Sequence, residues 1–514
     1  MSFTMSGESR GPFRHRRPPA VLEAQQRCRA LGAQVAQFNA RKATPPEDLL
    51  RRLNEAHAVR KAVTSQWTMA VWDTRIRMYL LQRHSERTRN LAARVRGAKR
   101  PPCQLPCDAA SMEHYRRYFE GMFAHHEWQP QPVELPVPTS PYASFTPARI
   151  VSSRDVFMVL SRLNRFKAPG FSGVTNALVK DAPWEGMLAR TIALLFTLCV
   201  QWSVVPQSWS VARLVPVPKK GNLNDICNFR PISVTETLRK VFERVILADV
   251  QASVRSDAGL DVAQGGFREQ RSTTDQIAAL VEARAQRQFK LKRSPIMAFL
   301  DIKAAYDSVD RSRLWAKLLS YGTAPGMVSL LRALFDHNSS RVFVNGQLSG
   351  ELQHARGLLQ GSILSPWLYA VFINELLVQL REKGRWSMGG VPVSVFAYAD
   401  DLALLADDAS HLREMLGVCE QYAVGHGFRF APNKCELVGP DHEALRPLTL
   451  HDQPMRISET FVYLGMPLCV SGIDVKAHLA RVSLKVRATV GTVCAAGLHS
   501  YGVGPLLAVQ AYTT

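Results

Sequence analysis

Long apolar runs are missing from this 514-residue chain. The longest, Ile192 to Val200, is about half of the roughly 20 residues a membrane-spanning helix needs. The first twenty residues hold no apolar stretch of the kind that opens a secretory signal. Cysteine is sparse, nine in all. An odd number scattered through a long chain excludes a disulfide framework and points to reduced thiols in the nucleus or cytoplasm. Cys103 and Cys107 form a CxxxC pair, but no ligand pair with finger spacing accompanies it, so it reads as two unrelated thiols. No internal repeat is visible. Acidic residues are also in short supply, 43 Asp/Glu against 64 Lys/Arg, which leaves a net charge of +21 and a pI near 9.9. That excess implies a polyanionic partner. Hydrophobic residues at 46% and charged residues at 21% exclude wholesale disorder.

The charge is concentrated at the start. Residues 1–100 hold 21 Lys/Arg and 7 Asp/Glu, about two-thirds of the net charge in a fifth of the chain. Residues 1–20 read as a disordered basic tail. From about Ala20 to Ala98 the pattern is helical, and Trp67, Val71, Trp72, Ile76 and Tyr79 recur at the spacing of one buried helix face. Arg83, Arg87, Arg94 and Lys99 prolong it as a basic stripe, open to solvent or to nucleic acid. The expected organisation is a helical N-terminal extension with a Pro-rich linker (21–148), a leading segment (149–200), a main domain (198–470) and a final segment (471–514). Residues 129–143 form the extended part of the linker.

Chemistry is carried by three segments of the main domain. In the first, Ile296-Met-Ala-Phe-Leu-Asp301-Ile-Lys-Ala-Ala-Tyr306-Asp307, a strand-like apolar run ends in an acid. Carboxylates seldom sit in such runs unless paired or bound to metal. In the second, Val393 to Leu405, two apolar strands flank Asp400-Asp401, which predicts a hairpin with the acids at its tip. If the strands are neighbours, Asp301 and Asp400 share a sheet edge, and their repulsion calls for a divalent cation between them. Hard oxygen donors suggest Mg²⁺, and two such ions about 4 Å apart serve nucleotidyl transfer. The third segment, Gly357-Leu-Leu-Gln360-Gly361-Ser-Ile-Leu-Ser365-Pro366, offers close backbone approach at its glycines and an amide with both donor and acceptor.

Together these segments resemble motifs A, B and C of reverse transcriptases, in order and in rough spacing. Val215 to Gly221, Asn228 to Ser233, Gln264 to Thr273 and Lys167 to Gly170 resemble the fingers of the non-LTR (LINE-type) retrotransposon enzymes. Pro432-Asn433-Lys434 resembles motif D, and Phe461 to Gly465 motif E, the primer grip. The similarity covers about residues 150–470. Ser172 and Phe229 depart from the usual acid and Tyr.

The resemblance implies an α+β right-hand polymerase with fingers, palm and part of a thumb, behind a basic, mostly helical extension. It implies catalytic and metal-binding roles for Asp301, Asp400 and Asp401, with two Mg²⁺ or, alternatively, Mn²⁺ ions. Lys219, Lys220 and Arg230 would meet the triphosphate, and Lys434 would protonate the leaving pyrophosphate. Gln360 and Gly361 would touch nucleotide and template. Tyr306 would stack under the sugar and exclude a 2′-hydroxyl, the alternative for it being a core aromatic. Phe461, Tyr463, Leu464, Gly465, Arg268 and Arg271 would contact primer and template. Template RNA, a DNA primer or nicked target DNA, and deoxynucleotides are the implied partners, with no membrane. Residues 1–150 are too short and basic for an apurinic-type endonuclease, and the segment after residue 470 too short for a nuclease or RNase H, so a fragment or degraded copy of an element is expected. A group II intron maturase and an inactive, domesticated nucleic-acid-binding protein are the alternatives.

Overall fold

The computed structural model describes residues 19–40, 44–80, 105–124, 150–219, 222–254 and 259–495. The chain divides into two units, residues 1–102 with 480–514, and residues 103–479. The tail before residue 19, the Arg83–Lys99 stripe, Cys103, the 129–143 linker and Lys220 lie outside the described residues. Among the described residues no helix is long and apolar enough to cross a membrane.

The smaller unit holds helices α1 (Pro19–Ala40) and α2 (Glu47–Leu80), so the helical pattern read from about Ala20 to Ala98 is met over these residues, and residues 81–98 lie outside the described ones. Pro45 and Pro46 stand just before α2, and Glu47 and Asp48 follow in its first turn, where the helix dipole favours acids. Cys28, Leu31, Leu49 and Ala56 form its buried contact.

The larger unit opens with helices α3 (Ala109–Phe123), α4 (Ser153–Ser161) and α5 (Met187–Trp202). Strands β1 (Val211–Pro218) and β2 (Phe229–Val234) lead to helices α6 (Thr237–Ala252) and α7 (Thr273–Leu291). Strand β3 (Ile296–Leu300), helices α8 (Arg311–Ser320) and α9 (Pro325–Phe335), and strands β4 (Ser339–Val344) and β5 (Gln347–Gln353) follow. Then come helix α10 (Ser365–Glu382), strands β6 (Val395–Tyr398) and β7 (Asp401–Ala406), and helix α11 (Ala409–His426). Strands β8 (Glu436–Val438), β9 (Arg456–Ile457), β10 (Thr460–Tyr463) and β11 (Met466–Cys469) precede helix α12 (Val475–Ala495), which crosses the boundary at residue 480.

Two sheets position the site. One runs β2-β1-β4-β5, with β1 and β4 parallel. Helix α3 covers it: Met112, Tyr115, Phe119 and Phe123 pack with Leu214, Phe229, Val342 and Leu352. This corrects the expectation that 21–148 is extension and linker alone, because α3 completes the core of this sheet. Asp108 caps the helix by accepting from Ser111 N.

The second sheet runs β9-β8-β3-β7-β6. Central β3 is buried along its whole length. Ile296, Ala298 and Leu300 enter one core with Leu402 and Leu404, while Met297 and Phe299 enter another with Ala403 and Leu405. Strands covered on both faces read as unbroken apolar runs, and each large side chain so buried contributes roughly 1.5–3 kcal/mol. That burial fixes the strand register at whose end the acids stand.

Candidate active site

Strands β3 and β7 are antiparallel, with Leu300 opposite Leu402. Tyr398 pairs with Asp401 across the β6–β7 hairpin, leaving Ala399-Asp400 as the two-residue turn. Asp301, just past β3, and Asp400 therefore stand at one sheet edge, as the spacing predicted. One detail differs: Asp401 begins β7 and does not share the tip. Ala399 takes a left-handed φ of 59°, unusual for a residue with a Cβ. It is held there by Gln264, whose Oε1 accepts from Ala399 N at 2.9 Å and whose Nε2 donates to Ala399 O at 3.3 Å.

Burial first, and the neighbouring Asp301 charge after it, raise the Asp400 carboxyl above the usual range. The Asp401 carboxyl is pushed up to about 6, by desolvation and then by Asp400 and Asp301. Lys434 supplies counter-charge, with Nζ 3.0 Å from Asp301 Oδ2. Its turn is tied to the same acid, since Ala431 N donates to Asp301 O at 2.8 Å.

The cations gather nearby. Lys219 N donates to Asn228 O at 2.6 Å at the loop end of the β1–β2 hairpin, and Arg230 pairs with Val217. The Lys219 ammonium is lowered by burial and then by the Lys434 and Arg230 charges. Three like charges that disfavour one another make a seat for a polyanion.

The Gln360–Gly361 loop docks on β2. Ser233 N donates to Gln360 O at 2.7 Å, and a Cβ on Gly361 (φ 139°) would lie 2.2 Å from Ser233 O, so only glycine fits. Glu243 of α6 holds the next residues, accepting from Ser362 Oγ at 2.8 Å and Ile363 N at 2.7 Å. The Gln360 side chain donates from Nε2 to Asp307 Oδ2 at 2.8 Å. Half-buried Tyr306 stacks on buried Tyr369, centroids 5.0 Å apart and planes 15° apart.

Residues 217–468 match the family described as reverse transcriptase (RNA-dependent DNA polymerase). This segment is a reverse transcriptase domain. The chain is 26% identical over 347 residues to the RNA-directed DNA polymerase from mobile element jockey of Drosophila melanogaster, covering 64% of this chain and 36% of that protein. It is 28% identical over 280 residues to the Retrovirus-related Pol polyprotein from type-2 retrotransposable element R2DM of the same species, covering 54% and 25%. The chain thus spans between a quarter and just over a third of the length of these relatives, and the kinship with non-LTR retrotransposon enzymes drawn from the motifs holds. Among solved structures, telomerase from Candida Tropicalis shares 13% identity over 53% of this chain and 49% of that one, with a TM-score of 0.38.

In the reverse transcriptase domain the β10–β11 hairpin turns at Leu464 (φ 47°) and Gly465 (φ 89°). Phe461 stacks on Phe299 at 4.4 Å, and Tyr463, 2% exposed, donates from its hydroxyl to Phe396 O at 3.3 Å. These two rings anchor the hairpin to the palm, and the turn residues are what it presents. Arg268 donates to the carbonyl of Asp261 at 3.0 Å, bracing the Gln264 segment, while Arg271 is exposed. Ser172 bonds through N and Oγ to Glu236, where an acid at position 172 would meet like charge. Phe229 fills the core under α3.

The three acids offer hard oxygen donors at one edge, and the raised Asp400 and Asp401 carboxyls show charge that a cation would relieve. Among the described residues no three acidic, His or Cys side chains form a ready cage. Sequence reading passed over Gln264, Asp307 and Glu243 as functional residues. The signal for Gln264 and Asp307 was a polar residue inside or beside a conspicuous motif.

Proposed function

We propose that this chain is an RNA-directed DNA polymerase of a non-LTR retrotransposon, copying template RNA into DNA from a primer with deoxynucleotides as substrate. The observation that carries the reading is the β3–β7 register, which sets Asp301 beside Asp400 with Lys219, Arg230 and Lys434 around them.

In this reading Asp301 and Asp400 hold two Mg²⁺ ions, with Asp401 supporting. Bound there, such ions activate the attacking hydroxyl and steady the leaving pyrophosphate. Lys219 and Arg230 orient the triphosphate by charge-assisted contacts. The motif resemblance extends the same role to Lys220. Lys434 serves as the proton donor to the departing pyrophosphate, its ammonium already beside Asp301. Gln360 and Gly361 form the wall on which nucleotide and template rest. Tyr306, backed by Tyr369, lies under the sugar. Leu464 and Gly465 support the primer end, and Arg271 the nucleic-acid backbone.

Primer extension on poly(A) RNA with an oligo(dT) primer, with and without Mg²⁺, tests the proposal. Metal-dependent synthesis of oligo(dT)-primed DNA is the expected result. Salt-sensitive RNA binding without extension in Mg²⁺ or Mn²⁺ would refute it and favour a nucleic-acid-binding protein.

A further inference from the structure

The palm sheet has a second end. Strand β3 runs from Ile296 to Leu300 before reaching Asp301, and antiparallel β7 runs from Asp401 to Ala406. What precedes β3 and follows β7 therefore lies at the end opposite the acids, roughly 16 Å away for a strand of this length. Cations and aromatic rings gather there, and none of them has a role in the chemistry at Asp301 and Asp400.

Trp386 is 9% exposed, with Arg287 5.7 Å and Lys290 5.8 Å from its ring centre. Arg287 is ion-paired with Asp407, which follows β7. Asp408 serves two cations, Arg293 at 3.8 Å and Arg385 at 3.3 Å, and Arg385 also reaches Glu414 at 3.0 Å. Lys290 and Lys292 are exposed and have no ion-pair partner among the described residues. The cations here outnumber the acids.

Phe289, one residue before Lys290, is 75% exposed. Lys292 Nζ lies 4.2 Å from its ring centre, so one face of the ring is covered and the other is open. Lys292 follows α7 in the left-handed region, with φ 58°. Glycine takes that conformation at a helix end without a Cβ penalty. The helix dipole accounts for a cation at Lys290. It accounts neither for lysine where glycine is easier nor for a phenylalanine left open to water. A flat ring with one free face beside unpaired cations suits unpaired bases joined by phosphates. A duplex keeps its bases in its own stack and would leave the ring unused.

We propose that this end of the palm sheet is a second binding site for single-stranded nucleic acid, with a base stacked on Phe289 and the adjoining phosphates held by Lys290 and Lys292. The site goes beyond the polymerase reading and does not depend on it. An unpaired base and its phosphate are common to RNA and DNA, so the test uses a strand of each.

The probes are oligo(U) carrying 4-thiouridine and oligo(dT) carrying 4-thiothymidine, each about ten nucleotides long. Affinity for the full chain is read as the probe concentration that gives half-maximal photo-cross-linking to residues 287–293. Cross-linking of either probe there supports the site, and the tighter probe names the strand. Phe289→Ala should weaken binding about tenfold and leave the urea midpoint unchanged, because the ring is exposed. Replacing both lysines, Lys290→Gln with Lys292→Gln, should flatten the slope of log K against log salt by about 0.7 per charge. Lys292→Gly should raise the urea midpoint by relieving the left-handed backbone and still weaken binding. A lysine with a structural role alone would show no loss of binding. A hairpin RNA without unpaired bases should not displace the cross-link. Displacement by the hairpin as readily as by oligo(U), or unchanged affinity and slope in these variants, overturns the proposal; the patch then fits an acidic protein surface. Primer extension is not read, so a chain that fails to extend a primer leaves this result standing.

Discussion

Gln264 is fully buried, and replacing it by Ala separates two ways in which the Ala399-Asp400 turn can fail. Its Oε1 accepts from Gly266 N and from Ala399 N, both at 2.9 Å. Removing that oxygen strands two buried donors, each costing about 1–3 kcal/mol. The left-handed Ala399 adds about 1 kcal/mol of backbone strain that the clamp now holds in place. If the turn stays where it is, stability falls by about 2–6 kcal/mol and the extension rate per folded molecule changes little. If the turn relaxes to recover its hydrogen bonds, less stability is lost, but Asp400 moves. A displacement of about 1 Å at a reacting group costs on the order of 100-fold in rate. Urea unfolding and single-turnover extension on the same preparation distinguish these outcomes. Gly266→Ala attacks the same contact from the other side, since its Cβ would lie 2.4 Å from Ala399 N. A Gln264→Ala protein with wild-type urea midpoint and a rate within twofold of wild type would refute the clamp.

Three further outcomes are expected. Asp400→Asn should abolish extension while leaving thermal stability equal or higher, because burial and Asp301 already disfavour the ionised acid; persistent extension would remove Asp400 from the chemistry. Tyr306→Val should admit ribonucleotides, lowering deoxy-over-ribo discrimination about 100-fold in kcat/KM, at a stability cost of about 1 kcal/mol for the lost stack on Tyr369; an unchanged ratio would make Tyr306 a core aromatic only. His354, buried against Phe123 and bonded to Ser340 Oγ at 2.9 Å, has its pKa lowered from 6.5 to about 3, by burial first and then by Arg311 and Arg239. The unfolded chain takes up this proton below pH 6.5 and the folded chain refuses it until about 3, so stability is complete above that window and falls by up to about 1.4 kcal/mol per pH unit within it; His354→Gln should flatten that acid limb in urea titrations, and an unaltered limb would assign it to other groups.

The parts of the site that were legible in the sequence are those written in short range. The unbroken apolar run before Asp301 is what a strand covered on both faces requires, and the two apolar runs flanking Asp400-Asp401 are what a buried hairpin requires. Helix α10 could be read from Pro366 and the apolar residues after it. What stayed hidden depends on partners far apart in sequence: Gln264 with Ala399, Ser233 with Gln360, Glu243 with Ser362. Local pattern even misleads at Arg239 and Glu243. Spaced four apart on a helix they look like a solvated surface pair, yet both are fully buried. Helix α3 was legible as a short helix around Tyr115 to Phe123, but its role was hidden for a related reason. Its buried face is plain, but the sheet it covers begins about ninety residues later, beyond a Pro-rich stretch that reads as a boundary.

That buried pair shows how the site is built. Arg239 donates to Glu243, to the carbonyls of Trp209 and Leu334, and to Asn338. Glu243 in turn takes two hydrogen bonds from the loop that follows Gln360. Stability alone is a poor reason to keep such a pair, since well-packed apolar residues often replace buried ions at no loss. An apolar residue at position 243 could still fill the space, but it could not hold Ser362 and Ile363 by direction. The same logic applies to Gln264 at the Ala399-Asp400 turn and to Asp307 at the Gln360 amide. Each is a polar group buried where packing would suffice for folding, and each spends its hydrogen bonds on a loop that carries a site residue. The acids of the site repel one another and its cations do likewise, so neither group can hold the site together. The geometry must be imposed from behind, and in this domain buried directional bonds from α6, from the Gln264 segment and from the turn after β3 impose it.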